Sequence, residues 1–284
     1  MVVRRFPPTR PQKGSPLAVK YDYHSLEDFL ASKHLSVDAV LDDGWGALMP
    51  VKGREVQATV LFADMAAFSS RTLDMSPVET LIFVQWFFAW VGAEALRGGR
   101  GIIDKYIGDE VMIVFSEEFG SEDPFTEAVH TARWMAERDP WSFCPHIGIA
   151  SGRVIVGYVG TPSKYNCSVF GSPVAFAARC AGVSPATDEV YASSIVFPAA
   201  EWGERDFEKV FPPHEYLRPD NTTAEQPHAW KMLRERVVPM KNMPPTCIRE
   251  IVKTSMNFSM TSAEEATRDV LGEIKAAGRY WPDA

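Results

Sequence analysis

The chain lacks the features that would open several readings at once. Its 284 residues include only four cysteines. Cys144, Cys167, Cys180 and Cys247 form no CxxC pair, so neither a zinc site nor a disulfide framework is indicated. Reduced thiols in a cytoplasm are expected. Positive charge is in deficit: 29 Lys and Arg stand against 37 Asp and Glu, a net charge of -8. A broad phosphate-neutralising surface, and with it a nucleic-acid partner, is therefore disfavoured. No apolar run approaches the roughly 20 residues that a membrane span needs. The most apolar stretch, Leu81 to Ala93, is broken by Gln85 and bounded by Glu79 and Glu94, and reads as a buried helix. Arg4 and Arg5 are followed by Pro7, Pro8, Pro11 and Gly14 rather than by an apolar segment, so no secretory leader is expected.

What is present is an ordinary globular balance, 46% hydrophobic and 23% charged, which excludes wholesale disorder and fibrous repeats. No internal repeat is found. The organisation reads as three parts: residues 1–54, a flexible arm and a short helix; residues 55–210, the main domain; and residues 211–284, an irregular Pro-broken segment that ends in a helix. Ser25 with Asp28 opens the short helix, and the Gly- and Pro-containing segment Asp42 to Arg54 reads as a linker. Val56 to Asp64 reads as a buried strand. Ser76-Pro77 opens a long helix ending at Gly98-Gly99. Strands follow over Gly101 to Tyr106 and Glu110 to Phe115, turning at Ile107-Gly108-Asp109. A helix over Pro124 to Arg138 leads to a second hairpin pivoting on Gly152, and a third helix runs from Gly171-Ser172-Pro173 through Cys180. Thr261 with Glu264 caps the last helix. This order predicts an α+β, ferredoxin-like sheet with helices on one face.

The chemistry-bearing residues sit at strand ends. The run Val60-Leu61-Phe62-Ala63 delivers Asp64 at its end, and the first hairpin turn delivers Asp109. Two carboxylates completed by phosphate oxygens are a usual holder of Mg²⁺ or Mn²⁺. The small residues Ala66 and Ala67 leave room for backbone amides to approach a phosphate. The aromatic cluster Trp86, Phe87, Phe88 and Trp90 reads first as core, with an interface role for part of it as the other option.

Four segments in order, Phe62 to Ser69, Lys105 to Met112, Gly148 to Val154 and Val169 to Arg179, resemble the class III nucleotidyl cyclases over roughly residues 55–195. That resemblance implies the cyclase catalytic fold, a central mostly antiparallel sheet with helices. It also implies Asp64 and Asp109 as ligands of two Mn²⁺ or Mg²⁺ ions, with the Met65 carbonyl assisting. By the same resemblance Phe68 and Ser69 lie in the phosphate-holding turn, Arg153 binds triphosphate, Lys105 and Ser168 face the base, and Arg179 faces the reacting phosphate across a homodimer with shared active sites. Where the family carries an Asn on that helix, this chain has Ala175, and the family's C-terminal lysine has no clean counterpart, Lys209 being the nearest candidate. The run Ser168 to Cys180 is similar in texture to the pyrimidine cyclases of bacterial Pycsar antiphage systems. This implies a cytoplasmic enzyme that converts UTP to cyclic UMP for a separate cyclic-nucleotide effector. Cytidylate or adenylate cyclase activity is the alternative within the class, and a catalytically inactive nucleotide-binding domain the alternative outside it. An RNA-binding module lacks the basic surface it would need, and a diguanylate cyclase the doubled glycine of its turn.

Overall fold

The computed structural model describes residues 22–42, 44, 48–92, 101–139, 141–161, 164–186, 193–213, 215–217, 223–225, 229–254 and 261–282. The expected arm over residues 1–20 and the expected helix end at Gly98-Gly99 lie outside these. Among the described residues no helix is long and apolar enough to cross a membrane.

The central strand β2 (Leu48–Asp64) is apolar on both faces over its second half, as a strand covered on both sides requires. Val56, Ala58, Val60 and Phe62 face one cluster, with α1 (Leu26–Ser32) and α5 (Ser172–Ala181) above them. Leu61 and Ala63 face the other, under α3 (Pro77–Trp90) and α4 (Pro124–Glu137). Helices therefore cover both faces, which corrects the one-face expectation. The aromatic residues of α3 are mainly core: Phe87 and Trp90 are buried, and Trp86 packs on Trp141 with ring centroids 4.8 Å apart.

Antiparallel to β2 run β1 (Val37–Asp42), β4 (Glu110–Phe115) and β5 (His146–Thr161), with β3 (Ile102–Ile107) beside β4 and β6 (Lys164–Phe170) beside β5. The segment expected to be a linker is thus a hairpin, and the boundary drawn at 54/55 falls inside β2. The expected second hairpin at Gly152 is one bent strand, β5, with the reversal instead joining Thr161 to Lys164. Gly152 adopts φ 154°, and a Cβ there would come 2.9 Å from the Pro173 ring. It is a point of close approach under the start of α5.

Beyond residue 190 the chain returns to the same sheet rather than wandering. Strand β7 (Ser194–Pro198) pairs parallel with β5. A separate small pair, β8 (Glu215–Leu217) and β9 (Thr223–Glu225), follows α6 (Phe207–Val210). Strands β10 (Trp230–Met232), β11 (Arg236–Met240) and β12 (Met243–Lys253) then extend the main sheet, whose order is β10-β12-β7-β5-β2-β4-β3. Of the described prolines in this region, Pro198 ends β7, Pro239 falls at the register shift of β11, and Pro244 and Pro245 lie near the start of β12, positions where a missing N–H is tolerated. The closing helix α7 (Ala263–Ala276) is capped one residue later than expected, by Ser262 with Glu265, which releases Glu264 for another partner.

Candidate active site

The end of β2 and the β3–β4 turn meet as the sequence leads one to expect. Asp64 lies opposite Glu110, and Ile107 opposite Glu110 closes a two-residue turn of Gly108 and Asp109. Gly108 takes φ 63°, a conformation that costs glycine little. The two aspartates face each other across this corner. Burial, a hydrogen bond to Asp109 and the charges of Asp109 and Glu110 push the Asp64 carboxyl up to about 8, against one stabilising N–H from Met65. Burial and the neighbouring Asp109 also raise Glu110, and Arg179 opposes that shift. Burial and repulsion of this kind leave a hard, oxygen-rich corner on which Arg179 acts as an opposing charge.

The turn after Asp64 is tightly built. Met65 and Ala66 are buried, Ala67 adopts the left-handed region at φ 57°, and Phe68 opens the short helix α2 (Phe68–Arg71). The Phe68 ring packs toward Phe83, so its side chain serves the core, whereas Ser69 is exposed.

On the other face, α5 buries Pro173, Ala177, Cys180 and Ala181 and leaves Ala175 and Arg179 exposed on its outer side. Arg179 lines a cleft of about 360 Å³ together with Lys241, which sits in the turn between β11 and β12. Lys241 was missed in the sequence because the strands that frame it were read as irregular. Lys209, the expected candidate, is exposed on α6 and is not among the residues that line this cleft.

Lys105 and Ser168 are brought together by a residue the sequence reading also missed. The β3–β4 register slips between Ile103 and Lys105, so Asp104 is an inserted bulge residue. Such an insertion re-aims side chains and allows neighbours in sequence to work on the same side. Asp104 Oδ2 accepts the Ser168 hydroxyl at 2.7 Å and lies 3.5 Å from Lys105 Nζ. Its side chain is 1% exposed, and Oδ1 has no hydrogen-bond partner. Burial raises its pKa, against Ser168, Lys105 and the Val169 N–H. An acidic residue interrupting the apolar run Gly101-Ile102-Ile103 was the available signal.

Arg153 is the site candidate that the single chain does not bring to the carboxylates. It pairs with Gln57, seven residues before Asp64 on β2, roughly 23 Å away at strand rise. Its side chain is 80% exposed and 3.7 Å from Glu55.

The architecture is that of class III cyclase catalytic domains. It aligns with the adenylyl cyclase CyaB of P. aeruginosa at a TM-score of 0.51 and 16% identity, covering 73% of this chain and 99% of that one. It also aligns with the guanylate cyclase domain of RhGC from Catenaria anguillulae, solved with GTP, at 0.51 and 15% identity, covering 71% of this chain and all of that one. No protein-family model matches the chain. In sequence it is similar to an adenylate cyclase of Anabaena cylindrica, 30% identical over 181 residues, 58% of this chain and 34% of the relative. An uncharacterized protein of Mycobacterium tuberculosis H37Rv is 30% identical over 157 residues, 54% of this chain and 29% of that protein. The aligned region spans about a third of the length of these curated relatives.

Proposed function

We propose that the chain is the catalytic unit of a nucleotide cyclase, converting a nucleoside triphosphate to its 3′,5′-cyclic monophosphate and pyrophosphate. The observation that carries this reading is the Asp64–Asp109 corner. Its donors are hard oxygens, and the burial, the hydrogen bond to Asp109 and the repulsion that together raise Asp64 to about 8 are offset by a divalent cation. Two ions, Mn²⁺ or Mg²⁺, fit this donor set. Among the described residues no cluster of three His, Cys, Asp or Glu stands ready, so the Met65 carbonyl and substrate phosphates complete the shell. When bound, such ions supply Lewis acidity that lowers the pKa of the ribose 3′-hydroxyl and neutralises the departing pyrophosphate.

The chain's own residues divide the remaining work. Asp64 and Asp109 would hold the two divalent ions, which would supply the charge that binds the α-phosphate, while backbone amides of the turn up to Phe68 and Ser69 reach phosphate. Arg179 and Lys241 place two cations where negative charge develops. Arg179 is exposed on α5 and, as the family resemblance implies, serves the partner's site in a homodimer, and Arg153 reaches the triphosphate tail. Lys105 and Ser168 read the base.

At the level of the base, the textural similarity of the run Ser168 to Cys180 to the pyrimidine cyclases favours UTP. The product is then cyclic UMP, made in the cytoplasm and read by a separate effector in antiphage defence. CTP is the pyrimidine rival. ATP is a second reading, favoured by the Anabaena relative named an adenylate cyclase. A binding-only domain is the reading that Ala175 keeps open. The deciding experiment incubates purified protein with each of the four ribonucleoside triphosphates and Mn²⁺ and resolves products by chromatography and mass. Cyclic UMP supports the full reading, and another cyclic nucleotide keeps the reaction while changing the base. No cyclic product from folded protein overturns the enzyme.

A further inference from the structure

The C-terminal helix does not merely cover the core; it reaches the turn that carries Asp64. Ser262 and Glu265 form the capping box of α7, so Glu264 is free to take the Arg71 guanidinium, with Nε to Oε1 at 2.6 Å. Arg71 closes α2, the short helix that begins four residues after Asp64. Its side chain is only 8% exposed. The guanidinium lies over the Phe83 and Phe143 rings, 5.0 and 5.9 Å from their centroids.

The same group ties the turn to a second loop. Arg71 Nη1 donates to the Ser142 carbonyl at 3.1 Å and to the Phe143 carbonyl at 3.5 Å. The Phe143 carbonyl also accepts the Ala66 N–H at 3.3 Å, so one oxygen joins Arg71 to the residue two positions after Asp64. The loop is itself held hard: Ser142 and Cys144 adopt φ 55° and 53°, and the Asp139 carboxylate accepts from the Trp141 and Cys144 N–H groups. A buried guanidinium needs a compensating charge. Among the described residues Glu264 is the carboxylate paired with it.

We propose that α7 braces the metal-binding turn, with Glu264 and Arg71 acting as positioning residues for the Asp64–Asp109 pair. The proposal rests on the reading of that pair as a divalent-cation site. It assigns the C-terminal helix a direct part in the geometry of the opposite end of the chain. Partners that orient metal ligands typically change affinity by about 10- to 100-fold when removed.

The test uses the full chain and three proteins: wild type, Glu264→Gln and Glu265→Ala. The last removes one arm of the α7 capping box, the carboxylate that accepts the Ser262 N–H, and leaves the Arg71–Glu264 pair in place. Hydrogen exchange of the 65–71 amides reads the brace without any metal, and Mn²⁺ titration followed by electron paramagnetic resonance reads its consequence. We expect Glu264→Gln to speed exchange over 65–71 and to weaken Mn²⁺ binding by about tenfold, with Glu265→Ala near wild type in both. Unchanged exchange over 65–71 in Glu264→Gln overturns the brace, as does an equal effect of the two variants, which would make α7 a general stabiliser. Wild type that binds no Mn²⁺ overturns the cation-site reading instead, and the exchange data still judge the brace.

Discussion

Asp64 is a carboxyl whose folded-state pKa, about 8, stands far above its ordinary 3.8. Between those values the folded chain keeps a proton that the unfolded chain has released, so stability without metal falls as pH rises from about 4 to about 8. Calorimetric midpoints of metal-free protein across that range should decline, and Asp64→Asn should flatten the decline. Mn²⁺ added at pH 8 should restore wild type and leave the variant unmoved. Catalytically, Asp64→Asn or Asp109→Asn should lower turnover by at least about a thousandfold with the circular dichroism spectrum preserved, because each removes a ligand and no core packing. Asp104 invites a different test. With its Oδ2 holding the hydrogen of the fully buried Ser168, Asp104 is committed as an acceptor beside the donor Lys105. Asp104→Asn removes that commitment. The kcat/KM ratios among the four triphosphates should shift by about tenfold or more, and unchanged ratios would remove Asp104 from base reading.

At the scale of elements, the placement of Arg179 depends on how closely α5 approaches the sheet. Gly148 on β5 makes that approach possible, since a Cβ there would lie 2.0 Å from the Ala177 carbonyl and 2.2 Å from the Ala181 N. Both contacts are backbone, so nothing can rotate away. Gly148→Ala should push α5 off the sheet, cost roughly 1–3 kcal/mol or more in urea denaturation, and reduce activity beyond what the stability loss explains. The bulge at Asp104 acts on a smaller scale, placing side chains from β3 and β6 in contact.

For the whole molecule, Arg179 and Ala175 face outward on α5, and on the proposed reading a second copy completes the site. Mixing Asp64→Ala with Arg179→Ala, each inactive alone, should return about a quarter of wild-type activity. A two-fold dimer formed at random is mixed half the time and then holds one intact site of two. No recovery on mixing, with heterodimers shown to form, would mean that each chain carries a complete site.

Much of this was legible in the sequence. The apolar run ending in Asp64, the glycine turn before Asp109, the side-chain-capped helices α1, α3 and α4, and α5 with its proline in the first turn follow from local rules, because strand burial, turn conformation and helix starts are written within a few residues of where they act. The motif order also led to the right architecture. Other features depend on residues far apart in the chain, which no local pattern records. The prolines near 240 looked like breakers, yet β11 and β12 pair beside β7 and carry Lys241 to the cleft of Arg179. Gly152 looked like a turn, but pairing with both halves of β2 keeps β5 continuous. Asp104 finds Ser168, 64 residues away, and Glu264 finds Arg71, 193 residues away. Sequence alone determined which carboxylates stand at the corner, since each follows its own strand or turn. Only the tertiary structure decided which cations, hydroxyl and brace surround them, because those partners are chosen by sheet order and helix docking.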